Sequence, residues 1–297
     1  MIPIPPNLRD SDFCSWLPAV VDLARVAGEE ILSIYNSDSA IHPKKVDLND
    51  LPTERDKTKR RVITRKEDYT PLTEADIIAH HTIVEGLTRL TPHLPVLSEE
   101  SKAIPFEERA RWRRYWLVDP LDGTREFISR NGQFTVNIAL IEGHDAIMGV
   151  ILAPTTGVCY YACRGEGAFR QISPTAVPEQ IHSRPFRGDC LVVAGAWSHG
   201  TKDLQRLLDN LPTCEVVNVG SALKSCMVAE GKVDLYPRLG PTSEWDTAAA
   251  QCVVEEAGGR VTNVRMERLR YNTKRSLLNP HFFVSGDPSR DWSRFLF

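Results

Sequence analysis

An apolar tetrapeptide, Tyr-Trp-Leu-Val (115–118), runs directly into Asp119-Pro120-Leu121-Asp122-Gly123-Thr124. The four apolar residues read as a buried strand, yet the segment ends in two acids three residues apart. Pro120 fixes φ and has no N–H to donate, so a sharp turn is expected there. Such a turn can aim both carboxylates, with the Leu121 carbonyl between them, into one space. Hard divalent cations such as Mg²⁺ favour that all-oxygen set. The N–H groups of Gly123 and Thr124 can receive a phosphate oxygen where a turn or helix begins. Metal ligands beside an anion cradle suit phosphoryl transfer to water. Taken alone, the hexapeptide reads equally as an ordinary turn, because Asp-Pro and Asp-Gly are common turn formers.

Other acids fall at the ends of predicted elements. Glu99-Glu100 follow a short strand, Val96-Leu97. Asp246 sits in Trp245-Asp246-Thr247-Ala248-Ala249, at the start of a predicted helix. Thr73 and Asp76 have capping-box spacing at the start of another, although the box prefers Glu or Gln in the fourth place. Each has a plainer reading when taken singly: a solvated strand end, a helix cap, a first-turn acid favoured by the helix dipole.

The surrounding pattern is mixed α and β. Apolar residues at 17, 20, 21, 24, 27, 31 and 34 predict an amphipathic helix over 15–35. Runs at 134–141, 146–152 and 158–162, separated by turn residues, predict an antiparallel meander, and Gly165-Glu166-Gly167 a hairpin turn. After Pro185 strands at 191–194, 215–219 and 233–236 alternate with helices at 202–211, 221–230 and 245–257. An antiparallel sheet with helices, then alternating strands and helices, predicts α/β (α+β) layers in two subdomains, 1–184 and 185–297. Within the first, residues 42–68 are polar, with nine Lys/Arg, six Asp/Glu and two prolines. A segment that long is either a solvated excursion or a flap over a site.

Charge narrows the partners. The 297 residues carry 36 Lys+Arg and 39 Asp+Glu, a net −3, too even to signal nucleic acid. The opening MIPIPPNLRD lacks a basic start followed by an apolar run, so no secretory leader is expected. No apolar stretch approaches the ~18 residues of a membrane span; peripheral membrane association stays open. Seven cysteines at 14, 159, 163, 190, 214, 226 and 252 show no Cys-x-x-Cys pair. They read as reduced cytoplasmic thiols, mostly small core residues. Gly-x-Ser-x-Gly and His-Glu-x-x-His are absent. The adjacent His80 and His81 are expected to diverge on their helix and are not read as a metal pair.

Together, Thr-x-x-Asp (73–76), Glu-Glu (99–100), DPLDGT (119–124) and WDTAA (245–249) resemble the lithium-sensitive, Mg²⁺-dependent sugar phosphatase superfamily. That superfamily includes inositol monophosphatases, fructose-1,6-bisphosphatases and 3′(2′),5′-bisphosphate nucleotidases. The chain most resembles the CysQ-type bisphosphate nucleotidases, through PVLSEE (95–100), YWLVDPLDGTREFISRNGQFTVNIALI (115–141), GSALKSCMVAEGKVDLYPRLGPTSEWDTAA (220–249) and LLNPHFFVS (277–285). Two stretches depart from the pattern: residues 47–67 are longer than expected, and Ala196-Trp197-Ser198-His199 replaces a Ser-Arg-Ser-His-like run.

The resemblance implies a layered αβαβα fold, with the first subdomain carrying most metal ligands and the second carrying Asp246. It also implies hydrolysis of the 3′-phosphate of adenosine 3′,5′-bisphosphate (PAP) to AMP, with action on the sulfated analogue (PAPS) open. Glu99, Asp119 and the Leu121 carbonyl would hold one Mg²⁺. Asp119 would bridge to a second completed by Asp122 and Asp246, and Asp76 would be an outer ligand for a weaker third. Thr124, with a nearby carboxylate, would orient and deprotonate the water. Gly123 and Thr124 would join the metal-site residues in holding the substrate, and no phosphoenzyme is expected. Lithium inhibition follows from the resemblance alone; a cytoplasmic location follows from the cysteine reading, with contact to the inner membrane left open.

A second substrate phosphate calls for cations beyond the metals, for which Lys224, Arg238 and Arg130 are candidates, each equally readable as a surface charge. Tyr236 reads as a stacking partner for adenine or a core tyrosine, and Gly220-Ser221 as an anion-binding turn or a helix cap. Inositol monophosphatase activity is the alternative on the same catalytic set. A non-catalytic sensor is disfavoured because every metal carboxylate is present. Oligomeric state is not legible.

Overall fold

The structure is a computed structural model that describes residues 13–37, 42–43, 62–65, 71–195 and 202–296. Most of the polar 42–68 segment and the Ala196–His199 stretch lie outside the described residues.

Helix α1 (Leu17–Tyr35) follows the predicted pattern, with Val20, Val21, Ala24, Ala27 and Ile31 buried and Pro18 in its first turn. Short strands β1 (His42–Pro43), β2 (Val62–Arg65) and β3 (Pro71–Thr73) form a three-stranded sheet that leads into α2 (Glu74–Leu90). Helices α1 and α2 lie together on one face of the main sheet.

That sheet has seven strands. They are β4 (Val96–Ser98), β5 (Arg114–Asp122), β6 (Thr135–Glu142), β7 (Asp145–Ala153), β8 (Val158–Cys163), β9 (Gly167–Gln171) and β10 (Glu179–Ile181), in spatial order 10-9-8-7-6-5-4. Short helices α3 (Phe106–Arg109) and α4 (Thr124–Ile128) flank β5. Only β4 runs parallel to its neighbour; the remainder is the expected meander, with the hairpin turn between β8 and β9. Strands β9 and β10 extend it beyond the sequence expectation.

The second sheet is built from β11 (Leu191–Gly195), β12 (Cys214–Asn218), β13 (Leu235–Arg238), β14 (Arg260–Asn263) and β15 (Phe282–Ser285), in order 12-11-13-15-14. Helix α5 (Lys202–Asn210) packs Leu207 with Leu191, Val193 and Trp292 on its outer face. Helices α6 (Leu223–Ala229) and α7 (Glu244–Glu256) fill the space between the two sheets. Helix α7 is buried over most of its surface, Glu244, Thr247 and Gln251 included alongside Ala248, Ala249, Ala250, Cys252, Val253 and Val254, as its place between two sheets requires. Gly149 on β7 permits the contact: a Cβ there would stand 2.2 Å from the Ala249 carbonyl oxygen. The layers are therefore αβαβα, as the resemblance implied.

One expectation fails. Cys14, in the turn before α1, is disulfide-bonded to Cys163 at the end of β8, with Cα atoms 5.8 Å apart. The fold brings together residues separated by 149 positions, which no spacing rule detects. Cys159, Cys226 and Cys252 are buried free thiols, as expected. Among the described residues no helix is long and apolar enough to cross a membrane.

Candidate active site

The parallel pairing of β4 with β5 places Ser98 opposite Val118, and the Glu99 N–H donates to the Val118 carbonyl at 3.0 Å. Glu99 and Asp119 thereby leave adjacent strands side by side. Strand β5 does not stop at Asp119 as expected; it continues through Pro120 to Asp122. Asn137 faces Asp119 and Thr135 faces Asp122, so three steps on β5 match two on β6. Side chains alternate along a strand, so an odd spacing would send Asp119 and Asp122 to opposite faces. The extra residue resets that alternation, the usual effect of a bulge. The sharp reversal falls at Gly123, whose φ of +94° suits glycine, rather than at Pro120.

Asp246 arrives from the other half of the chain. It is the third residue of α7 and closes a capping box with Ser243, its Oδ2 accepting from the Ser243 N–H at 2.9 Å. Carboxylate oxygens of Glu99, Asp119 and Asp246 lie within 4.8 Å of one another. Asp119 is only 2% exposed, and its Oδ1 accepts from the Leu121 N–H at 3.1 Å. Burial, then the charges of Glu99, Asp122 and Asp246, push its pKa well above the ordinary carboxylate value. Burial with the charges of Asp122 and Glu99 raises Asp246 to about 8. Burial also raises Asp122, opposed by the Lys224 charge and by hydrogen bonds from Asn137 and the Ala222 N–H. Such crowding of buried acids is unfavourable without a compensating cation. The all-oxygen donor set fits a hard divalent ion.

Asp76 is likewise the third residue of its helix, boxed with Thr73, whose N–H donates to Oδ2 at 2.7 Å. Its Oδ1 stands 3.2 Å from the Thr124 Oγ1, which is also 3.4 Å from the Leu121 carbonyl. Asp76 is thus the carboxylate that Thr124 meets.

The proposed substrate cations divide. Lys224 is buried, its ammonium 5.3 Å above the Tyr236 ring and 3.4 Å from the Val219 carbonyl. Burial lowers its pKa, offset by the charge of Asp122. Tyr236 packs edge-on to Phe282. Arg238 donates to the Pro241 carbonyl at 3.0 Å, and its charge bears on Asp246. Arg130 is tied to the Tyr35 carbonyl at 2.7 Å and lies over the Tyr35 ring, so it anchors α1. Gly220 and Ser221 precede α6, but its cap is Ala222 rather than Ser221. The imidazoles of His80 and His81 do not diverge: their centroids are 5.3 Å apart, edge to face. His80 Nδ1 lies 2.8 Å from the Ser98 hydroxyl, and burial with the His81 charge lowers its pKa to about 4.

Asn137 and Thr135 were not expected. Their side chains stand 3.2 and 3.4 Å from Asp122 Oδ2. The available signal was an asparagine within the apolar run Thr135–Glu142, where a buried amide needs a partner.

The inositol monophosphatase family model matches residues 14–287. The 3′(2′),5′-bisphosphate nucleotidase CysQ of Salmonella typhimurium is 44% identical over 269 residues, covering 91% of this chain and 99% of that protein. The CysQ of Escherichia coli K12 is 43% identical over the same lengths. The solved structure of CysQ from Bacteroides thetaiotaomicron superposes with a TM-score of 0.76 at 37% identity, covering 93% of this chain and 98% of that one. An inositol monophosphatase from Anabaena, 22% identical with a TM-score of 0.67 over 96% of both chains, shares the fold. The chain belongs to the inositol monophosphatase family of phosphatases, in the branch whose curated members are called CysQ.

Proposed function

We propose that this protein is an Mg²⁺-dependent 3′(2′),5′-bisphosphate nucleotidase that hydrolyses the 3′-phosphate of adenosine 3′,5′-bisphosphate to AMP and phosphate, and acts also on the sulfated analogue. The observation that carries the reading is the meeting of Glu99, Asp119 and Asp246 beside the Thr124–Asp76 pair, in a chain whose 44%-identical relative is named for that activity.

Glu99, Asp119 and the Leu121 carbonyl would hold one Mg²⁺, and Asp119, Asp122 and Asp246 a second; Asp76 would be an outer ligand for a weaker third. When bound, Mg²⁺ supplies Lewis acidity, making the attacking water more acidic and offsetting charge on the leaving oxygen. Thr124 donates its hydroxyl proton toward Asp76 Oδ1, which leaves its oxygen lone pairs to accept from the water. Thr73 fixes Asp76, so the acceptor is oriented before substrate arrives. As the water oxygen bonds to phosphorus, its proton passes through Thr124 toward Asp76. The bond from phosphorus to the ribose 3′-oxygen breaks, and that oxygen takes up a proton. Gly123 offers its backbone N–H to the phosphate, and Lys224 and Arg238, whose charges bear on Asp122 and Asp246, are the cations for the remaining phosphate. Lithium inhibition belongs to the same reading.

The division at 184/185 also belongs to it, supported by the break between the seven-stranded sheet, ending at Ile181, and the five-stranded sheet, beginning at Leu191. A cytoplasmic location, with or without contact to the inner membrane, rests on the family resemblance. Phosphate release from adenosine 3′,5′-bisphosphate and from inositol 1-phosphate, each with and without Mg²⁺, tests the assignment. Preference for the nucleotide, dependent on Mg²⁺, is expected. Preference for the inositol phosphate by about tenfold in kcat/KM would replace the substrate assignment with the inositol monophosphatase alternative.

A further inference from the structure

Two glycines distant in sequence make room for one carboxylate beside the acid cluster. Glu126 lies in α4, two residues beyond Thr124, and is half-buried. A Cβ on Gly123 would stand 3.3 Å from Glu126 Oε2, and one on Gly220 would stand 2.8 Å from Glu126 Cγ. The Gly220 N–H is held at 2.8 Å by the side-chain oxygen of Gln133. The Glu126 side chain therefore occupies a slot between the Asp122-Gly123-Thr124 turn and the approach to α6. Its charge bears on both Asp122 and Lys224. Among the described residues its carboxylate accepts no hydrogen bond and has no Lys or Arg nitrogen at ion-pair distance. It also stands outside the close group formed by Glu99, Asp119 and Asp246.

An unneutralised carboxylate next to a binding site for a phosphate dianion is repulsive. It becomes favourable when the ligand brings a hydrogen-bond donor to that spot. A phosphorylated ribose carries one beside the scissile ester, the hydroxyl on the neighbouring ring carbon. We propose that Glu126 is a specificity-determining residue that accepts a hydrogen bond from the free hydroxyl adjacent to the scissile phosphate, the 2′-hydroxyl of a 3′-phosphorylated ribonucleotide. The inference rests on the nucleotidase reading and adds to it a selection of ribose over deoxyribose. A site built to receive a hydroxyl rejects the analogue that lacks it, because the acceptor is then left desolvated and unpaired.

The test compares phosphate release by the wild type, Glu126→Gln and Glu126→Ala from adenosine 3′,5′-bisphosphate and from its 2′-deoxy counterpart, in Mg²⁺. The wild type is expected to favour the ribonucleotide by about tenfold to a hundredfold in kcat/KM, the range of a hydrogen bond to a charged group. Glu126→Ala should bring the ratio to within about threefold, both by slowing the ribonucleotide and by relieving the unpaired acceptor that penalises the deoxyribonucleotide, with Glu126→Gln intermediate because its amide oxygen still accepts. A deoxyribonucleotide rate at or above that of the wild type is the internal sign that the variant is folded. Equal wild-type rates on the two substrates, or equal losses on both in Glu126→Ala, would overturn the assignment while leaving the nucleotidase reading in place. If the wild type hydrolyses neither nucleotide, that reading fails, and the role of Glu126 with it.

Discussion

Asp76 and Asp246 occupy the same position in two helices, third in α2 and third in α7, and each accepts the N–H of its own cap residue through Oδ2, at 2.7 and 2.9 Å. A capping box normally fastens a helix end; here it also holds the side chain of an acid of the candidate site. One oxygen is held by the backbone; in Asp76 the other meets Thr124, and Asp246 brings a carboxylate oxygen to Glu99 and Asp119. Ser243→Ala removes the cap hydroxyl from the second box. A loss of about 0.5–2 kcal/mol is expected, read from denaturant unfolding, together with a higher Mg²⁺ concentration for half-maximal activity. An unchanged Mg²⁺ requirement in a destabilised variant would show that Asp246 is oriented by something other than its cap.

Thr124 is expected to act through its hydroxyl. Thr124→Ser keeps the oxygen beside Asp76 and should retain most activity. Thr124→Ala removes the group proposed to orient the water and should lower kcat by about 10²–10⁴, the usual worth of positioned proton transfer. The KM for the nucleotide should change far less in both. Equal kcat for the Ala and Ser variants would remove Thr124 from the mechanism.

Much of this site was legible before the fold. Acids at element ends identified Glu99, Asp119, Asp122 and Asp246 as candidates, and helical spacing located Thr73 and Asp76. What sequence rules missed were effects of pairing. The bulge in β5 exists only relative to β6, so the strand was expected to end early and the turn was assigned to Pro120 instead of Gly123. The Cys14–Cys163 bond depends on how the turn before α1 meets β8. His80 and His81 were expected to point apart from helix geometry alone, yet the Ser98 hydroxyl on β4 engages the first ring. Local chemistry is written in local sequence; register and contact are set by what packs alongside.

Metal and pH should act on stability together. Asp246 has a native pKa of about 8 against an ordinary 3.8, and Asp119 is raised as well. Between those two values the folded chain holds more protons than the unfolded one, so metal-free stability must fall as pH rises from about 4 to about 8. A divalent cation binds the deprotonated cluster, so its effect should grow over the same interval. Thermal melts in chelator and in Mg²⁺ should diverge with rising pH, the gap being larger at pH 8 than at pH 5.5. A gap that does not widen would argue that the cation binds elsewhere.

The disulfide gives a separate prediction. A crosslink between residues 149 apart limits the unfolded chain strongly, and native disulfides contribute about 2–4 kcal/mol. Treatment with reductant, or Cys14→Ser, should lower Tm. Peptide mapping under non-reducing conditions should recover the 14–163 pair. Identical melting with and without reductant, in protein mapped as bonded, would mean that the link adds no stability.

Asp122→Asn separates the need for charge from the need for shape. The substitution keeps the side-chain volume and an oxygen able to accept from Asn137, Thr135 and the Ala222 N–H. It removes one negative charge from a buried cluster whose members already raise one another's pKa. The metal-free variant should therefore melt no lower than the wild type at pH 8, because the burial of the Asp122 charge and its repulsion of Asp119 and Asp246 outweigh its attraction to Lys224, leaving its pKa raised on balance. Turnover should nevertheless fall by about a thousandfold or more, since the proposed second cation would lose an anionic ligand and with it the charge that would offset the leaving oxygen. Raising Mg²⁺ should recover only part of that loss. An Asp122→Asn protein that kept full activity would show that the reaction does not need the second ion, whereas one that unfolded without metal would assign Asp122 to structure instead.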